Sequence, residues 1–168
     1  MTRSRVTLID GRSGAGKTSF AEALADSLER AMGERPQLLG MDELYPGWGG
    51  LAEGSAALAD VLRRATYRRY DWARGAFAEA VELDPSRELV VEGCGSLTAE
   101  SLAAAREWGE VRTVWIECPE ELRRERALAR DGDVFAPHWE EWAVQEREHF
   151  ARARPIALAR EIVHVGTR

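Results

Sequence analysis

Lysine is almost absent from this sequence: among 23 lysine and arginine residues, only Lys17 is a lysine. Asparagine is missing entirely, and there are only two cysteines, Cys94 and Cys118. Two thiols that do not form a Cys-x-x-Cys pair exclude a disulfide framework. We therefore expect reduced thiols in a cytoplasmic protein.

Long apolar runs are also missing. No run approaches the roughly 18 apolar residues that a membrane helix needs. The opening segment MTRSRVTLID holds too few apolar residues for a signal peptide. The net charge of -6 argues against a general nucleic-acid-binding protein, because such a protein needs a basic face to neutralise phosphates. We expect neither a membrane nor nucleic acid among the partners, although a small arginine pocket for one anionic ligand stays compatible with this charge.

The order of apolar patterns predicts the fold class. The length of 168 residues suits a single domain. Short apolar runs predict five strands, at 6–9, 36–41, 88–92, 111–116 and 162–165. Helical spacing predicts helices at about 17–32, 51–83, 98–108, 119–130 and 138–159. The second is expected to break near Gly54 or Gly75, and the last to bend at Pro155. This alternation is typical of right-handed βαβ units, so we predict an α/β fold whose mostly parallel five-stranded sheet has helices on both faces.

The single lysine lies in the segment GRSGAGKT at 11–18, which fits the Walker A pattern G-x-x-x-x-G-K-[ST]. Its glycines permit the unusual φ angles and close approach with which backbone N–H groups wrap a phosphate. The helix that follows directs its positive end at the same phosphate. The predicted nucleotide-binding residues are Gly11, Ser13, Gly14, Ala15, Gly16, Lys17, Thr18 and Ser19.

The chemistry of this loop explains why it contains a lysine. A guanidinium is a wide planar fork, whereas the lysine ammonium is compact on a thin stem. Only the compact group can thread back across the loop, so Lys17 is predicted to contact the β- and γ-phosphates and to take part in catalysis. Thr18 is predicted to offer its hydroxyl to a metal ion. The sequence therefore predicts ATP and Mg²⁺ as cofactors.

The sequence lacks motifs that P-loop GTPases and the larger P-loop ATPases would show. A chain without asparagine, and with one lysine, has no Asn-Lys-x-Asp element for guanine. The strand at 88–92 ends in Glu92-Gly93 rather than in the Asp-Glu of larger ATPases.

The remaining motifs resemble those of the small P-loop kinases of nucleosides and nucleotides, and most of all the uridine kinase group. Besides the Walker A loop, the resemblance rests on MDELYP at 41–46, VVEG at 90–93 and RRERALARD at 123–131. It implies one P-loop NTPase domain over 1–168, with the P-loop strand central in the sheet and a lid at about 120–137. It also implies transfer of the γ-phosphoryl of Mg-ATP to a small hydroxylated, nucleoside-like acceptor.

Two carboxylates at predicted strand ends are candidates for the chemistry. A side chain at the C-terminal end of a parallel strand projects into the crevice where ligands bind. The acceptor hydroxyl must be oriented and its proton accepted, and the resemblance gives this role to Asp42, although a turn aspartate is the alternative. Glu92 is a candidate for a metal-bound water or for the substrate, or it is a loop carboxylate that neighbouring N–H groups satisfy.

The lid segment carries arginines at helical spacing. Arg123, Arg126 and Arg130 fall on one helical face. Arginines stabilise charge that develops on a transferred phosphoryl group, so Arg126 and Arg130 are predicted to be catalytic. The alternative is a charged face that is simply solvated.

Substrate contacts are predicted in two segments. Tyr45 and Trp48 lie on a glycine-rich loop directly after the candidate base. The segment YRRYDW at 67–72 mixes cations with aromatic rings, and Arg68 and Arg69 are its candidates for substrate binding. Its rings are expected to pack into the core from an amphipathic helix.

Other functions remain open at the level of the sequence. A nucleoside monophosphate kinase would use the same loop but would need an arginine clamp for an anionic acceptor. A non-catalytic ATP-binding regulatory protein would bind ATP without turnover. The sequence leaves open the acceptor and the choice between a monomer and a homodimer.

Overall fold

A computed structural model describes residues 4–166 of the chain. The strands are β1 (Ser4–Gly11), β2 (Gln37–Gly40), β3 (Thr66–Asp71), β4 (Ala76–Glu82), β5 (Leu89–Glu92), β6 (Glu110–Glu117) and β7 (Glu161–His164). The α-helices are α1 (Lys17–Met32), α2 (Leu51–Arg64), α3 (Ala99–Arg106), α4 (Glu120–Phe135), α5 (Trp139–Ala153) and α6 (Pro155–Leu158). Short 3₁₀ turns cover Met41–Glu43 and Ala136–His138.

The main sheet is parallel, with the strand order β2-β5-β1-β6-β7. The predicted α/β fold is confirmed, and each of its five predicted strands is present. The strand that precedes the Walker A segment is central, as the resemblance implied. Its apolar side chains Val6, Leu8 and Ile9 are fully buried, because both faces of a parallel sheet are covered.

Helices on both faces produce three layers. On one face, Leu8 of β1 belongs to a core cluster with Leu58 of α2 and Trp142 of α5. On the other face, Ile9 belongs to a second cluster with Ala21 of α1. No helix within residues 4–166 is long and apolar enough to cross a bilayer.

The helix predicted over 51–83 is wrong beyond Arg64. There α2 ends, Ala65 has a left-handed conformation (φ 55°), and β3 and β4 form an antiparallel hairpin. The alanines in this segment favoured a helix, but its aromatic residues favour strands. The turn is stabilised by Asp71, whose Oδ1 accepts from the N–H groups of Ala73 and Arg74. Tyr67 and Tyr70 therefore lie on a strand, and Trp72 lies in the turn that follows it, rather than on an amphipathic helix.

Two helices end at residues other than those predicted. The lid helix was expected to end near Arg130, but α4 continues to Phe135 across a kink at Gly132 (φ 50°, ψ -130°). A residue with a Cβ rarely adopts this conformation, so glycine permits the kink. The last long helix ends at Ala153, and Pro155 begins the short α6.

Candidate active site

Three neighbouring strand ends bring the candidate residues together. Because β2, β5 and β1 pair in parallel, Gly40 and Ile9 both lie beside Glu92 in the register. The phosphate-loop segment 11–18 follows β1, and Asp42 follows β2 by two residues. All three features therefore lie at the C-terminal edge of the sheet, where ligands of open α/β sheets bind.

The phosphate loop is shaped by close backbone packing. Gly14 has φ +78°, and a Cβ there would collide with the backbone oxygen of Arg123 at the start of α4. Only glycine permits both features, so the loop can lie directly against the lid helix. Lys17 is 8% exposed, and its Nζ donates to the Arg12 carbonyl oxygen at 2.8 Å. The ammonium group therefore folds back across the loop.

Oxygen ligands suited to Mg²⁺ lie beside this lysine. Thr18 Oγ1 donates to Glu92 Oε1 at 3.1 Å. Partial burial raises the pKa of Glu92, while the charge of Lys17 and the Thr18 hydrogen bond oppose this shift. Within residues 4–166, no group of three or more His, Cys, Asp and Glu side chains could hold a metal ion. Thr18 and Glu92 nevertheless fit Mg²⁺, which keeps several waters and needs only one or two protein oxygens.

Asp42 faces the same space from the end of β2. A Cβ at Gly40 would collide with Asp42 Oδ1 and would be in ordinary contact, at 3.6 Å, with Glu92 Oε1. This glycine therefore leaves room for the Asp42 carboxylate beside Glu92. Burial in the cleft, followed by the charge of Glu43, raises the pKa of Asp42, and the charge of Arg130 opposes this shift. The same Arg130 charge acts on Glu92. Asp42, Glu92 and Arg130 therefore form one electrostatic cluster.

The three arginines on the lid helix occupy different environments. Arg123 is 8% exposed and donates to the Ser13 carbonyl oxygen at 3.3 Å and to that of Cys118 at 3.1 Å. It thereby supports the phosphate loop from behind. Arg126 is exposed, and its guanidinium is close to the loop at Gly16. Arg130 is exposed beside the two carboxylates and pairs with Asp131 at 2.7 Å.

The hairpin forms the wall beside Asp42. Trp72 Nε1 donates to the Asp42 carbonyl oxygen at 2.9 Å. Glu43 accepts from the Tyr67 hydroxyl and, at 3.2 Å, from Arg69 Nε. These contacts anchor the turn that presents Asp42 and occupy the neighbouring Glu43 carboxylate.

Arg68 and Arg69, predicted as substrate contacts, are engaged within the hairpin region. Arg68 donates to the carbonyl oxygens of Ala78 and Phe77 at 2.9 and 3.0 Å. Arg69 pairs with Glu43 and with Glu79. Their roles in substrate binding remain predictions, and a substrate would have to compete for these hydrogen bonds.

Of the two aromatic candidates after Asp42, Trp48 is half-buried at the edge of the core, whereas Tyr45 is buried. Its ring stacks on His138 at 4.3 Å and 7°, and it meets Trp72 edge-on at 5.0 Å and Phe135 at 5.4 Å. Trp48 thus connects its loop to the hairpin and to the end of the lid helix. Tyr45 is 5% exposed, and its hydroxyl donates to the Cys94 carbonyl oxygen at 2.6 Å, so its ring lies in the core.

The sequence analysis missed the buried polar residues behind the phosphate loop. Asp10 is fully buried, and Glu146 on α5 is 3% exposed. Glu146 Oε1 accepts from Ser13 N at 2.7 Å and from Cys94 Sγ at 3.3 Å. A signal was present for both residues, because Asp10 ends an apolar strand and Glu146 lies four residues from Trp142 and from Phe150 on a helix.

Asp10 links the loop after β5 to the phosphate loop through hydrogen bonds. Its Oδ1 accepts from Gly11 N at 2.7 Å and from Gly95 N at 3.1 Å, and its Oδ2 accepts from Leu97 N at 3.0 Å. Burial raises the pKa of Asp10 from 3.8 to about 6, although these N–H groups and Lys17 favour the charged form.

Comparison with known proteins identifies the fold. No family model matches the chain, and no curated protein matches it significantly by sequence. A possible uridine kinase from Bacillus stearothermophilus is 20% identical and has a TM-score of 0.61, over 97% of this chain and 90% of that chain. A gluconokinase from Sinorhizobium meliloti is 21% identical, with a TM-score of 0.57 over 99% of this chain and 86% of that one.

A third similar structure is that of a kinase named for a different substrate. Shikimate kinase from Acinetobacter baumannii is 19% identical and has a TM-score of 0.51, over 98% of this chain and 85% of that chain. The chain therefore has the fold of P-loop kinases. The named substrates of these three proteins differ, so the fold leaves the acceptor open.

The burial of Asp10 predicts a specific dependence of stability on pH. The folded state keeps the Asp10 proton to about pH 6, whereas the unfolded chain loses it near 3.8. The Asp10 contribution to the free energy of unfolding should therefore fall by roughly 3 kcal/mol as the pH rises through this interval. Urea unfolding of the native chain and Asp10→Asn from pH 4 to 7 measures this difference. A difference that stays constant, or grows with pH, contradicts the prediction.

Proposed function

We propose that this chain is an ATP- and Mg²⁺-dependent phosphotransferase that moves the γ-phosphoryl group to a hydroxyl of a small, nucleoside-like acceptor. The observation that carries the proposal is the convergence of Lys17, Asp42, Glu92 and Arg130 at one edge of the parallel sheet. Phosphoryl transfer needs a phosphate site, carboxylates for the metal ion and the acceptor, and a cation such as the Arg130 guanidinium.

The phosphate loop supplies the donor half of the site. Its backbone N–H groups and the N-terminus of α1 attract the phosphates, and Lys17 exchanges the Arg12 carbonyl oxygen for phosphate oxygens. Thr18 and Glu92 would hold Mg²⁺, directly or through its waters. When bound, the metal ion neutralises phosphate charge and orients the transferred group.

Asp42 supplies the acceptor half. Its carboxylate orients the acceptor hydroxyl and takes the proton as the hydroxyl oxygen bonds to the γ-phosphorus. The bond from the γ-phosphorus to the β,γ-bridging oxygen breaks, and ADP leaves. A pKa raised by the cleft and by Glu43 strengthens this carboxylate as a base. Arg126 and Arg130 stabilise the charge on the phosphoryl oxygens during transfer.

The aromatic cluster around Trp48 favours an acceptor with a flat or ring-shaped body. Trp48 and Trp72 stand next to the turn that carries Asp42, and Trp72 is 38% exposed. Exposed indole rings bind bases by stacking and sugar rings through apolar contact. This supports a nucleoside, or a related ring alcohol, as the acceptor.

A nucleoside monophosphate kinase is the second candidate enzyme. It would need free arginines on the acceptor side, and the two candidates there, Arg68 and Arg69, are held by hairpin and Glu43 contacts. This observation favours a hydroxyl acceptor. A regulatory protein that only binds ATP does not need an arginine beside two cleft carboxylates, so Arg130 favours an enzyme.

The proposed role of Lys17 predicts that another positive charge at this position is not enough for tight Mg-ATP binding. Lys17→Arg keeps the positive charge but replaces the compact ammonium with a wide fork that the buried loop cannot admit. We expect Mg-ATP affinity to fall at least tenfold, as roughly 1.4 kcal/mol or more of lost binding free energy. Calorimetric titration of both proteins with a non-hydrolysable ATP analogue measures it. Equal affinity in the variant would show that Lys17 does not reach the phosphates.

The role of Asp42 is tested together with the acceptor. ADP release from Mg-ATP is measured across nucleosides, nucleoside monophosphates, sugars and pantothenate-like alcohols, with native protein and Asp42→Asn. We expect one hydroxyl acceptor to stimulate release, and Asp42→Asn to lower kcat by about 10²–10⁴-fold while ATP affinity stays close to native.

The other outcomes of this assay separate the alternatives. Stimulation by a monophosphate that survives Asp42→Asn would identify a nucleotide kinase. Tight ATP binding without stimulation by any compound would favour the regulatory protein.

The lid arginines predict a contrast within one helix. Arg130→Met removes the cation that acts on Asp42 and Glu92, whereas Arg124→Met alters an exposed arginine outside the predicted stripe. We expect kcat to fall roughly a hundredfold in Arg130→Met only, with a small change in ATP affinity. Equal kcat values in the two variants would remove Arg130 from the mechanism.

A further inference from the structure

Two consecutive residues of α5, Gln145 and Glu146, contact opposite halves of the candidate site. Gln145 bonds the loop that carries Trp48, and Glu146 bonds the phosphate loop. Successive residues on an α-helix point about 100° apart, so neighbours can reach two different structures. Neither residue belongs to the phosphate-loop or lid motifs.

Gln145 clamps the Trp48 loop at two points. Its Nε2 donates to the Trp48 carbonyl oxygen at 2.7 Å, and its Oε1 accepts from Leu51 N at 3.3 Å. Leu51 is the first residue of α2, where backbone N–H groups lack partners within the helix. One carboxamide thus satisfies both ends of the segment 48–51 and fixes it against α5.

Glu146 holds the phosphate loop from behind. It is 3% exposed, and a buried carboxylate must be hydrogen-bonded. Its Oε1 accepts from Ser13 N at 2.7 Å, and the Cys94 thiol, which is also 3.1 Å from the Gly11 carbonyl oxygen, is 3.3 Å away. The carboxylate therefore orients a backbone amide inside the Walker A segment.

We propose that Gln145 and Glu146 are positioning residues that make α5 a brace between the acceptor loop and the phosphate loop. The assignment of an acceptor to the Trp48 side rests on the proposed function. A rigid helix that holds both loops sets the distance between acceptor hydroxyl and γ-phosphate. Transfer is sensitive to this distance, because a misplacement of about 1 Å can cost a hundredfold in rate.

The brace predicts that the two residues affect different ligands. Gln145→Ala releases the Trp48 loop, so the KM for the acceptor should rise roughly tenfold while the Kd for Mg-ATP stays within about twofold. Glu146→Ala leaves Ser13 N without its partner, so the Kd for Mg-ATP should rise roughly tenfold. Glu146→Gln keeps an acceptor oxygen for Ser13 N and should restore ATP affinity to within about threefold of native. Glu148→Gln, exposed on the same helix, is the matched control.

A second measurement does not depend on turnover. Amide hydrogen exchange should speed up in the segment 48–51 for Gln145→Ala, and in the phosphate loop for Glu146→Ala, with little change in the other loop. If no acceptor is found, the proposed function fails, while this exchange pattern still decides whether the brace exists. If Glu146→Ala does not fold, Glu146→Asp, whose shorter side chain withdraws from Ser13 N, replaces it.

Two results would overturn the brace. One is a change of the same size in acceptor KM and ATP Kd for both variants, which indicates general loss of structure. The other is native exchange in both loops, which shows that α5 does not hold them.

Discussion

The parallel pairing of β2 with β5, and of β5 with β1, is the constraint on which the candidate site depends. Side chains that follow parallel strands emerge at one edge, so a loop after β1 and a turn after β2 must face each other across Glu92. Mostly apolar strand interiors, such as Val6, Leu8 and Ile9 of β1, stabilise this pairing, since both faces are covered by helices. The chemistry is therefore positioned by residues that never touch it.

The site places three carboxylates near one lysine: Asp10 is buried, Glu92 is half-buried, and Asp42 is exposed at the mouth of the cleft. The pKa values of Asp10, Asp42 and Glu92 are all raised chiefly by burial, and the Lys17 charge opposes this for Asp10 and Glu92. Such groups make the ligand-free protein less stable at neutral pH than apolar residues would. The proposed phosphate and metal site requires these groups, so the stability of the protein and the proposed activity make opposite demands on them.

The aromatic cluster around Trp48 is an assembly of separate chain segments. Trp48 of one loop stacks on His138 after the lid helix and meets Trp72 after the hairpin strand β3. Trp72 in turn bonds the backbone of Asp42. The Trp48 loop, the hairpin and the end of α4 are therefore linked by direct ring contacts rather than through the sheet.

The sequence by itself determined the sheet strands, the phosphate loop, and Asp42 and Glu92 as candidates, because these depend on local patterns: apolar runs, glycine spacing and polar residues at strand ends. It misassigned the hairpin, since alanine-rich segments favour a helix locally, while Tyr67 and Trp72 make contacts with Glu43 and Asp42 that only the folded chain supplies. Only the tertiary structure separated Arg123, which supports the loop, from Arg130, which faces the carboxylates. It also decided the roles of Gln145 and Glu146, because their partners lie 52 to 133 residues away in the sequence, beyond any local pattern.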